Sequence, residues 1–276
     1  MPDVASCPTD KLLAQTSAMN TSATGLRVLV TAGASGIGKS IALNFAAAGA
    51  KVFVCDINAE AIQVLRTEVP EIGASIADVS DPAAVATLFS DALNCLGGLD
   101  VLVNNAGISG PTVKVEDLGI DDWNRTIAVD LSGVFYCTRI AVPELKAAGG
   151  GSIINLSSIA GRLGYPLRSH YCAAKWGVIG FTKSLAIELG PDNIRVNAIL
   201  PGVVEGERVR KVVEARSVAR GLSFEEGMRQ FVAPISLRHM VSAQEIADMA
   251  LFLVTSAGRS ISGQAISVCG DHGYLA

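Results

Sequence analysis

Short runs of β-branched and apolar residues alternate with longer helical segments from Gly25 onward, and this alternation constrains the fold most strongly. Strands are predicted at 27–31, 51–55, 74–77, 100–103, 152–156, 194–199 and 265–268. Helices are predicted over about 36–48, 58–67, 81–96, 122–147, 169–190, 206–230 and 242–255. Strands separated by helices form right-handed βαβ crossovers, so we predict a single-domain α/β fold with a Rossmann-like, doubly wound parallel sheet.

The chain has 276 residues, enough for one domain with a large core, and 50% of them are hydrophobic. We expect residues 1–24 to form a loosely ordered tail and residues 25–276 to form the domain. The net charge of -4 gives no electrostatic reason to bind nucleic acid. A mean hydropathy of +0.41 fits a sheet buried on both faces, and no charge-free apolar stretch is long enough to span a membrane. We expect neither a nucleic-acid nor a membrane partner.

The cysteines show neither a Cys-x-x-Cys pair nor the spacing of a metal site, so we expect free thiols and no metal. They are Cys7, Cys55, Cys95, Cys137, Cys172 and Cys269. Free thiols are typical of a reducing compartment, and the apolar patch at 12–14 is too short for a signal peptide. These observations predict a cytoplasmic protein.

The first predicted strand leads directly into the segment TAGASGIG at 31–38 and then into a helix. Small residues there let the backbone approach a pyrophosphate, and a helix N-terminus presents N–H groups to it. The second strand ends at Asp56, whose carboxylate suits ribose hydroxyls and repels a 2'-phosphate. The sequence therefore favours NAD over NADP. The alternative role for Asp56 is a cap on the following helix.

Tyr171 and Lys175 lie four residues apart on a predicted helix and would share one face. An ammonium group beside a phenol favours the phenolate, which suits proton transfer. Ser158 follows a predicted strand and can hold an alcohol or carbonyl oxygen against the tyrosine hydroxyl. Such a Tyr-Lys pair also arises by chance as a packing or solvated pair, so its meaning depends on the cofactor motifs.

Taken in order, the motifs resemble those of the short-chain dehydrogenase/reductases, in their single-domain NAD(P)-dependent form. The resemblance covers about residues 25–270, through TAGASGIG at 31–38, Asp78-Val79, Asn104-Asn-Ala-Gly107, Ser158, Tyr171-x-x-x-Lys175 and Pro201-Gly202. It implies an enzyme that interconverts a secondary alcohol and a ketone by hydride transfer. It also implies a homotetramer, with the helices at 122–147 and 169–190 at the interface and residues 271–276 reaching towards a neighbouring subunit.

The resemblance assigns roles to individual residues. Tyr171 would be the general acid/base, Lys175 would lower its pKa and hold the nicotinamide ribose, and Ser158 would orient the substrate oxygen. Asn104 would line the cofactor channel. The implied cofactor contacts are Gly33, Ser35, Gly36, Ile37, Gly38, Asp56, Ile57, Asp78, Val79, Asn105, Ala106, Gly107, Tyr171, Lys175, Pro201, Gly202 and Val204.

Three positions depart from the family pattern. Ala32 replaces the first glycine of the turn, which is tolerable if that residue does not need a positive φ. Asp130 stands where an asparagine normally connects the lysine to solvent through water, so we expect an altered relay at this catalytic position. Gly206 replaces a threonine that normally contacts the nicotinamide carboxamide, which leaves that contact to the backbone of Val203 and Val204.

Three segments are the predicted walls of the substrate site: Ser109–Thr112, Arg162–His170 and a lid at about 203–232. Candidate substrate contacts are Ser109, Ser158, Arg162, Arg168 and Val203. The arginines suit a polyol, a sugar or a sugar acid, although surface salt bridges are the alternative for each of them. Two other functions stay open, a non-catalytic NAD-binding scaffold or sensor and a reductase of acyl or steroid ketones. A nucleotide-sugar epimerase is disfavoured, because only a short strand and a tail follow Ile261.

Overall fold

The computed structural model describes residues 22–273, except for the side chains of residues 207, 208, 212, 215, 216 and 219. Its strands form one parallel sheet in the order β3-β2-β1-β4-β5-β6-β7. The bounds are β1 (Arg27–Thr31), β2 (Lys51–Asp56), β3 (Gly73–Ile76), β4 (Val101–Asn104), β5 (Gly151–Leu156), β6 (Ile194–Pro201) and β7 (Ala265–Val268). The predicted fold class is confirmed.

Helices connect the strands and cover both faces of the sheet. They are α1 (Gly36–Ala47), α2 (Ala59–Glu68), α3 (Pro82–Leu96), α4 (Ile120–Ile127), α5 (Gly133–Ala147), α6 (Ser169–Leu189), α7 (Glu207–Ala219), α8 (Phe224–Val232) and α9 (Ala243–Val254). One core cluster includes Phe45 of α1 and Ala250 of α9, and the other includes Phe89 of α3 and Leu145 of α5. Burial on both faces accounts for the positive mean hydropathy of the chain.

The strand order places the carboxyl ends of β1, β4 and β5 side by side. The chain winds outward in opposite directions from β1 and β4, because β2 pairs with one edge of β1 and β4 with the other. Ligands of doubly wound sheets bind at such a switch point, outside the carboxyl ends of the strands. The glycine turn after β1 and the segments after β4 and β5 all begin there.

Two predicted helices are interrupted. The segment 122–147 contains a π-helical turn, Ala128–Ser132, between α4 and α5. The segment 206–230 is two helices, because α7 ends before Gly221, which has a φ of +65°, and Ser223 caps α8 by accepting a hydrogen bond from the Glu226 N–H at 3.2 Å. Left-handed backbone at a glycine and a serine cap are ordinary signals of a helix end and start.

The predicted tail boundary is also wrong by a few residues. Ala23 is 1% exposed, and its N–H donates to the carbonyl of Ala48 at 2.9 Å, so the chain joins the domain before Gly25. Predictions for residues 1–21 and 274–276 lie outside the described part of the chain. Within that part, none of the helices combines the length and apolar character needed to cross a membrane.

Candidate active site

The glycine turn lies close against its neighbours and leaves the start of α1 open. A methyl group at Gly38 would lie 2.1 Å from the Ala32 carbonyl oxygen, and one at Gly33 would lie 2.6 Å from Cβ of Val54. Ser35 precedes α1 without a side-chain cap, so the first N–H groups of the helix stay available to an anion. This cradle fits the pyrophosphate of a dinucleotide. Gly36 has a φ of +52°, which glycine adopts readily.

Ala32 has a φ of +49°, although the sequence prediction tolerated alanine there on condition that no positive φ was required. The condition is not met, so the turn carries backbone strain at this residue. The Ala32 carbonyl accepts a hydrogen bond from Nδ2 of Asn105 at 3.0 Å, and this contact helps to hold the strained conformation.

Asp56 holds the glycine turn against the end of β2. Its side chain is buried, and the carboxylate accepts hydrogen bonds from the N–H groups of Ala34 at 3.2 Å and Asn58 at 3.1 Å. Asn58 caps α2, since its side chain accepts from the Glu60 and Ala61 N–H groups at 3.0 Å. The alternative role of Asp56 as the helix cap is therefore wrong.

The segment after β4 is fastened to the glycine turn. The hydroxyl of Thr31 accepts hydrogen bonds from the N–H groups of Asn105 and Ala106, both at 3.0 Å, and Nδ2 of Asn105 donates to the carbonyls of Thr31 and Ala32. These contacts bring the predicted cofactor residues of both strands to one place. Asn105 therefore acts first as a brace between the two turns.

Asn104 lies at the end of β4, where it borders a small cavity together with Thr31, Val79 and Ala106. Its side chain is 2% exposed and donates to Thr138 Oγ1 at 3.2 Å and to Asn155 Oδ1 at 2.9 Å. Asn155 in turn donates to Thr182 Oγ1 at 2.9 Å. These amide and hydroxyl groups form a buried hydrogen-bonded network, in which Oδ1 of Asn104 has no partner within the described residues.

Asp78 and Val79, two of the predicted cofactor contacts, follow β3. Val79 is buried and packs against Gly133, where an added Cβ would lie 2.8 Å from it. Asp78 accepts from Ser80 and forms an ion pair with Arg125 at 2.9 Å. Partial burial opposes ionisation, but the contacts with Ser80 and Arg125 lower the pKa of Asp78 on balance.

Lys175 and Tyr171 share one face of α6, as predicted from their spacing. Nζ of Lys175 lies 5.6 Å from the centre of the Tyr171 ring and donates to the Leu156 carbonyl at the end of β5, 3.1 Å away. Lys175 is 4% exposed, so its ammonium group is removed from bulk water. A second contact, 3.3 Å from Nζ to Oδ2 of Asp130, completes its surroundings.

Asp130 is a fully buried carboxylate in the π-helical turn. Its Oδ1 accepts a hydrogen bond from the Ile108 N–H at 2.7 Å, and its Oδ2 faces Lys175. Burial raises the pKa of Asp130 above its usual range, although Lys175, the Ile108 N–H and His170 each act to lower it. The carboxylate is therefore an ion-pair partner of Lys175, a contact that a neutral asparagine cannot make.

The segment after β5 carries two serines with different tasks. Ser158 starts a short 3-10 turn, Ile159–Gly161, and its Oγ accepts from the Ala160 N–H at 3.1 Å. Ser157, which the sequence prediction missed, donates from Oγ to the carbonyl of Lys175 at 2.8 Å. That bond fixes the backbone of α6 at Lys175 relative to the end of β5.

The two candidate arginines take different directions. Arg168 is half-buried, lies 5.4 Å over the ring of Tyr165 and donates to the carbonyl of Ser109 at 3.4 Å, so it joins two predicted walls of the substrate site. Arg162 is exposed and donates to Ser267 Oγ and to the carbonyl of Ala265 on β7. Its side chain borders a cavity of about 380 Å³, lined by Ile159, Arg162, Leu163, Ser267, Cys269, Gly270, Asp271 and His272.

The end of β6 leads past Pro201 and Gly202 to the lid. A bridge joins Val204 to Val241 through the Val203 carbonyl, which accepts from Val241, and the Glu205 N–H, which donates to Val241. Both hydrogen bonds are made by backbone groups of the residues on either side of Val204. The N–H and carbonyl groups of Val204 itself take no part in the bridge. The lid helices pack together, with Arg210 lying 5.3 Å over the Phe224 ring, while the side chain of Arg208 is outside the description.

Sequence reasoning missed the residues that support this site. Thr31, Ser157 and Thr126 are recognisable only as small polar residues in or beside apolar segments, which is a weak signal. His170 ends one predicted wall of the substrate site, and it is 1% exposed beside Gly110. The interruption of the helix at Asp130 has no signal that we can identify in the sequence.

The protein is a short-chain dehydrogenase/reductase. A family model described as "Enoyl-(Acyl carrier protein) reductase" matches residues 31–274, which is most of the chain, and so confirms the membership indicated by the motifs. The glycine turn, the brace after β4 and the Ser158, Tyr171 and Lys175 group all lie within that match.

Particular relatives are similar over much of their length. A 2-dehydro-3-deoxy-L-rhamnonate dehydrogenase (NAD(+)) of Sphingomonas sp. (strain SKA58) is 42% identical over 66% of this chain and 73% of that protein. A trans-4-hydroxycyclohexanecarboxylate dehydrogenase of Sinomonas cyclohexanicum is 38% identical over 88% of this chain and 90% of that protein. The crystal structure of an actinorhodin polyketide ketoreductase variant with NADPH has a TM-score of 0.84 and 32% identity, and it covers 94% of this chain and 100% of that one.

Proposed function

We propose that this chain is an NAD-dependent dehydrogenase that interconverts a small secondary alcohol and its ketone, with Tyr171 as the general acid/base. The observation that carries the proposal is the buried ammonium group of Lys175, held by Asp130 and the Leu156 carbonyl one helical turn from Tyr171. The two dehydrogenase relatives support the same class of reaction.

The side chains divide the chemistry between them. In the oxidation direction, the Tyr171 oxygen accepts the hydroxyl proton of the substrate, and the nearby Lys175 ammonium favours the phenolate that does so. Ser158 orients the substrate oxygen, while Asp130 keeps a counter-charge beside Lys175. NAD, when bound, would accept the carbinol hydride. Alignment of these groups supplies much of the rate enhancement.

NAD is the proposed cofactor because of Asp56. Its carboxylate closes the end of β2 beside the glycine turn, where it would accept hydrogen bonds from ribose hydroxyls and repel a 2'-phosphate. The relative from Sphingomonas is named for NAD(+), whereas the ketoreductase structure contains NADPH, so NADP is the alternative to be tested. Ile57, next to Asp56, is 63% exposed and would lie beside the ribose.

A hydroxy acid is the proposed substrate class, within the broader group of polyols, sugars and sugar acids. The names of both dehydrogenase relatives describe substrates with a carboxylate. Arg168 offers a guanidinium group at the junction of two proposed substrate walls, where the carbonyl of Ser109 and the Tyr165 ring hold it. Guanidinium forks bind carboxylates in a bidentate manner. Arg162 is turned towards β7 and makes the poorer candidate.

Reduction of a polyketide or acyl ketone is the second candidate, favoured by the similarity to the ketoreductase structure. That function predicts faster turnover of β-ketoacyl thioesters with NADPH than of hydroxy acids with NAD. A parallel assay of both substrate classes with both cofactors distinguishes the two proposals. If the protein is a non-catalytic scaffold, neither substrate class should be turned over with either cofactor.

The test of the catalytic assignment is NADH production from a panel of hydroxy acids and their neutral alcohol counterparts. Tyr171→Phe is expected to lower kcat by about 100-fold or more, the usual contribution of a positioned general acid/base. Tyr136→Phe is the matched control, since Tyr136 lies on α5, where its ring contacts that of Phe135. Near wild-type turnover by Tyr171→Phe would contradict the proposal.

The test of the substrate class uses the two arginines. Arg168→Met is expected to raise KM for hydroxy acids by about 10-fold or more and to leave KM for the neutral alcohols nearly unchanged. Arg162→Met removes the same charge at a site held by β7 and is expected to change neither value. Equal effects of the two variants would refute the role of Arg168.

We also propose a homotetramer in a reducing compartment such as the cytoplasm. Exposed apolar side chains on α5 and α6 support the assembly, notably Phe135, Trp176 and Ile187 at 46%, 53% and 82% exposure. The described cysteines are free, which fits a reducing environment. Light scattering should give four times the chain mass for the wild type and a smaller assembly for Ile187→Glu.

A further inference from the structure

The carboxylate of Asp130 brings a negative charge to the proposed active site, at a position where the family pattern has a neutral asparagine. Its Oδ2 lies 3.3 Å from Nζ of Lys175, and the Asp130 and Lys175 side chains are 0% and 5% exposed. The same ammonium group lies 5.6 Å from the centre of the Tyr171 ring. A change of charge at Asp130 therefore acts on the phenol as well as on the ammonium group.

The contacts of Asp130 favour its ionised form. Its Oδ1 accepts a hydrogen bond from the Ile108 N–H at 2.7 Å, and its Oδ2 faces the Lys175 ammonium group. Both oxygens thus face donors, whereas a protonated carboxyl group would need an acceptor for its own proton. Burial raises the pKa of Asp130, but Lys175 and the Ile108 N–H both act to lower it. Asp130 is therefore the counter-charge of the buried ammonium group.

The fold holds the two charges together and away from water. Asp130 belongs to the π-helical turn Ala128–Ser132, which packs against α6, the helix of Lys175. A methyl group at Gly107 would lie 3.1 Å from Nζ of Lys175 and 3.5 Å from both carboxylate oxygens of Asp130, so the loop backbone covers the pair. Nζ also donates to the Leu156 carbonyl at 3.1 Å. Charges in such a place are screened less than charges on the surface.

The other elements packed against the pair present mainly uncharged groups. Helix α6 adds His170, whose charge acts to lower the pKa of Asp130. Three charged side chains of α4 are exposed, namely Asp121, Asp122 and Arg125. The uncharged groups are the Thr126 hydroxyl of α4, the Leu156 carbonyl of β5 and the hydroxyls of Ser157 and Ser158. Asp130 thus supplies the negative charge of this cluster, and Lys175 supplies the positive charge next to Tyr171.

Charge balance decides how readily Tyr171 loses its proton. Beside an unpaired buried ammonium group, the phenolate would be strongly favoured, because its formation would neutralise the site. Beside the Asp130–Lys175 pair, the same ionisation leaves a net negative charge in a place removed from water. We propose that Asp130 sets the pH range of the reaction by balancing Lys175, so that Tyr171 keeps its proton to a higher pH than it would with asparagine at position 130. Lys175 still promotes the phenolate, and Asp130 limits the extent.

The proposal rests on the proposed function in one respect, that Tyr171 exchanges the substrate proton. In alcohol oxidation, the phenolate oxygen takes the hydroxyl proton of the substrate, so oxidation needs ionised Tyr171. In ketone reduction, the phenol gives that proton back to the carbonyl oxygen, so reduction needs protonated Tyr171. Asp130 therefore extends reduction towards alkaline pH and moves the acidic limit of oxidation upwards by the same amount.

Ultraviolet titration of the apoprotein tests the charge balance without a substrate. The phenolate absorbance of Tyr171 is obtained by subtracting the titration of Tyr171→Phe, in the wild type and in each Asp130 background, while circular dichroism monitors folding. In Asp130→Asn and Asp130→Ser, the proton affinity of Tyr171 is expected to fall by about 10-fold or more, because a buried negative charge close to the phenol has been removed. With two neutral variants, the test does not depend on the folding of either one alone.

The matched control is Asp100→Asn, which removes one carboxylate at the opposite end of the sheet. Asp100 precedes β4 and accepts hydrogen bonds from the Arg27 side chain, and no change in the Tyr171 titration is expected. A Tyr171 proton affinity within two-fold of wild type in the neutral Asp130 variants would overturn the proposal. A higher affinity would also overturn it, since Lys175 would then be losing its own proton without Asp130.

Kinetics test the consequence for catalysis. With a substrate found in the panel, Asp130→Asn is expected to move the acidic limb of kcat for oxidation and the alkaline limb of kcat for reduction to lower pH, each by about one pH unit. A purely structural role would lower kcat at every pH and leave both limbs in place, which would overturn the proposal. If no substrate is turned over, the proposed function fails, and the titration of Tyr171 still decides the role of Asp130.

Discussion

The strain at Ala32 makes a quantitative prediction about the glycine turn. Ala32 has a φ of +49°, a left-handed conformation that costs a residue with a Cβ about 1–2 kcal/mol. Ala32→Gly removes this cost. The greater conformational freedom of glycine, however, stabilises the unfolded chain by about 0.4–1 kcal/mol. The expected net gain in the free energy of unfolding is about 0.5–1 kcal/mol.

Gly36 offers the reverse experiment in the same turn. Its φ is +52°, and an added Cβ would meet no atom within 4 Å, so Gly36→Ala introduces the conformational cost without a clash. We expect Gly36→Ala to lose about 1 kcal/mol. Comparison of Ala32→Gly with Gly36→Ala separates the effect of backbone conformation from that of packing. Ala32 is only partly buried, and its substitution removes a single methyl group.

The assay is the thermal midpoint followed by circular dichroism, at one protein concentration and without cofactor. For a chain of this size, a change of 1 kcal/mol moves Tm by about 2–4 °C, so Ala32→Gly should gain about 1–4 °C and Gly36→Ala should lose about 2–4 °C. A lower Tm for Ala32→Gly, with Gly36→Ala also destabilised, would refute strain at Ala32 and indicate that its methyl group contributes through packing.

Further predictions concern the cofactor cradle and pH. Gly38→Ala should weaken NADH binding by more than about 10-fold in a fluorescence titration, because its Cβ would lie 2.1 Å from a carbonyl oxygen of the turn, whereas Gly180→Ala, with open space around its Cβ, should bind normally. Asp56→Asn should raise the ratio of kcat/KM for NADP over NAD by about 10-fold or more, because the amide keeps an acceptor oxygen without repelling a phosphate. Asp100→Asn should cost about 1–2 kcal/mol at pH 7 in urea unfolding, because the carboxylate accepts hydrogen bonds from the Arg27 side chain at 2.8 and 2.9 Å.

The pH dependence of the last prediction follows from the direction of the pKa. Burial acts to raise the pKa of Asp100, but hydrogen bonds and charge from Arg27 lower it on balance. A carboxylate with a lowered pKa in the folded state stabilises the protein above its unfolded value of about 3.9, and this stabilisation is lost as the pH falls through the folded value. The difference between wild type and Asp100→Asn should therefore shrink below about pH 4.

Contrary results would be equally informative. Normal NADH binding by Gly38→Ala would place the pyrophosphate away from the turn, and an unchanged cofactor ratio in Asp56→Asn would remove the basis for proposing NAD. A difference between wild type and Asp100→Asn that stays constant to pH 3 would show that the carboxylate contributes through packing.

Local patterns in the sequence were enough to predict the strands and most of the helices, and to identify the motifs in their order. The alternation of apolar residues and the β-branched residues identify the buried strands, and the glycine turn is recognised from the residues of one βα unit. The spacing of Tyr171 and Lys175 determines their common helix face, since α-helical geometry is local. The family membership followed from the order of these motifs.

Contacts between distant segments were decided only by the tertiary structure. The motif indicates a cofactor role for Asn104, and only the packing of β4 against α5 shows that its amide group donates to Thr138 and Asn155. Arg162 and Arg168 look alike in the sequence, and only the position of β7 separates their roles.

The sequence by itself determined the parallel sheet, the glycine turn and the Ser158, Tyr171 and Lys175 group, because each depends on spacing within one short segment. The tertiary structure decided the buried ion pair of Asp130 and Lys175. Asp130 lies in a π-helical turn and Lys175 lies in α6, and the backbone at Gly107 packs against both side chains. Burial then changes their chemistry, and burial is a property of the whole fold.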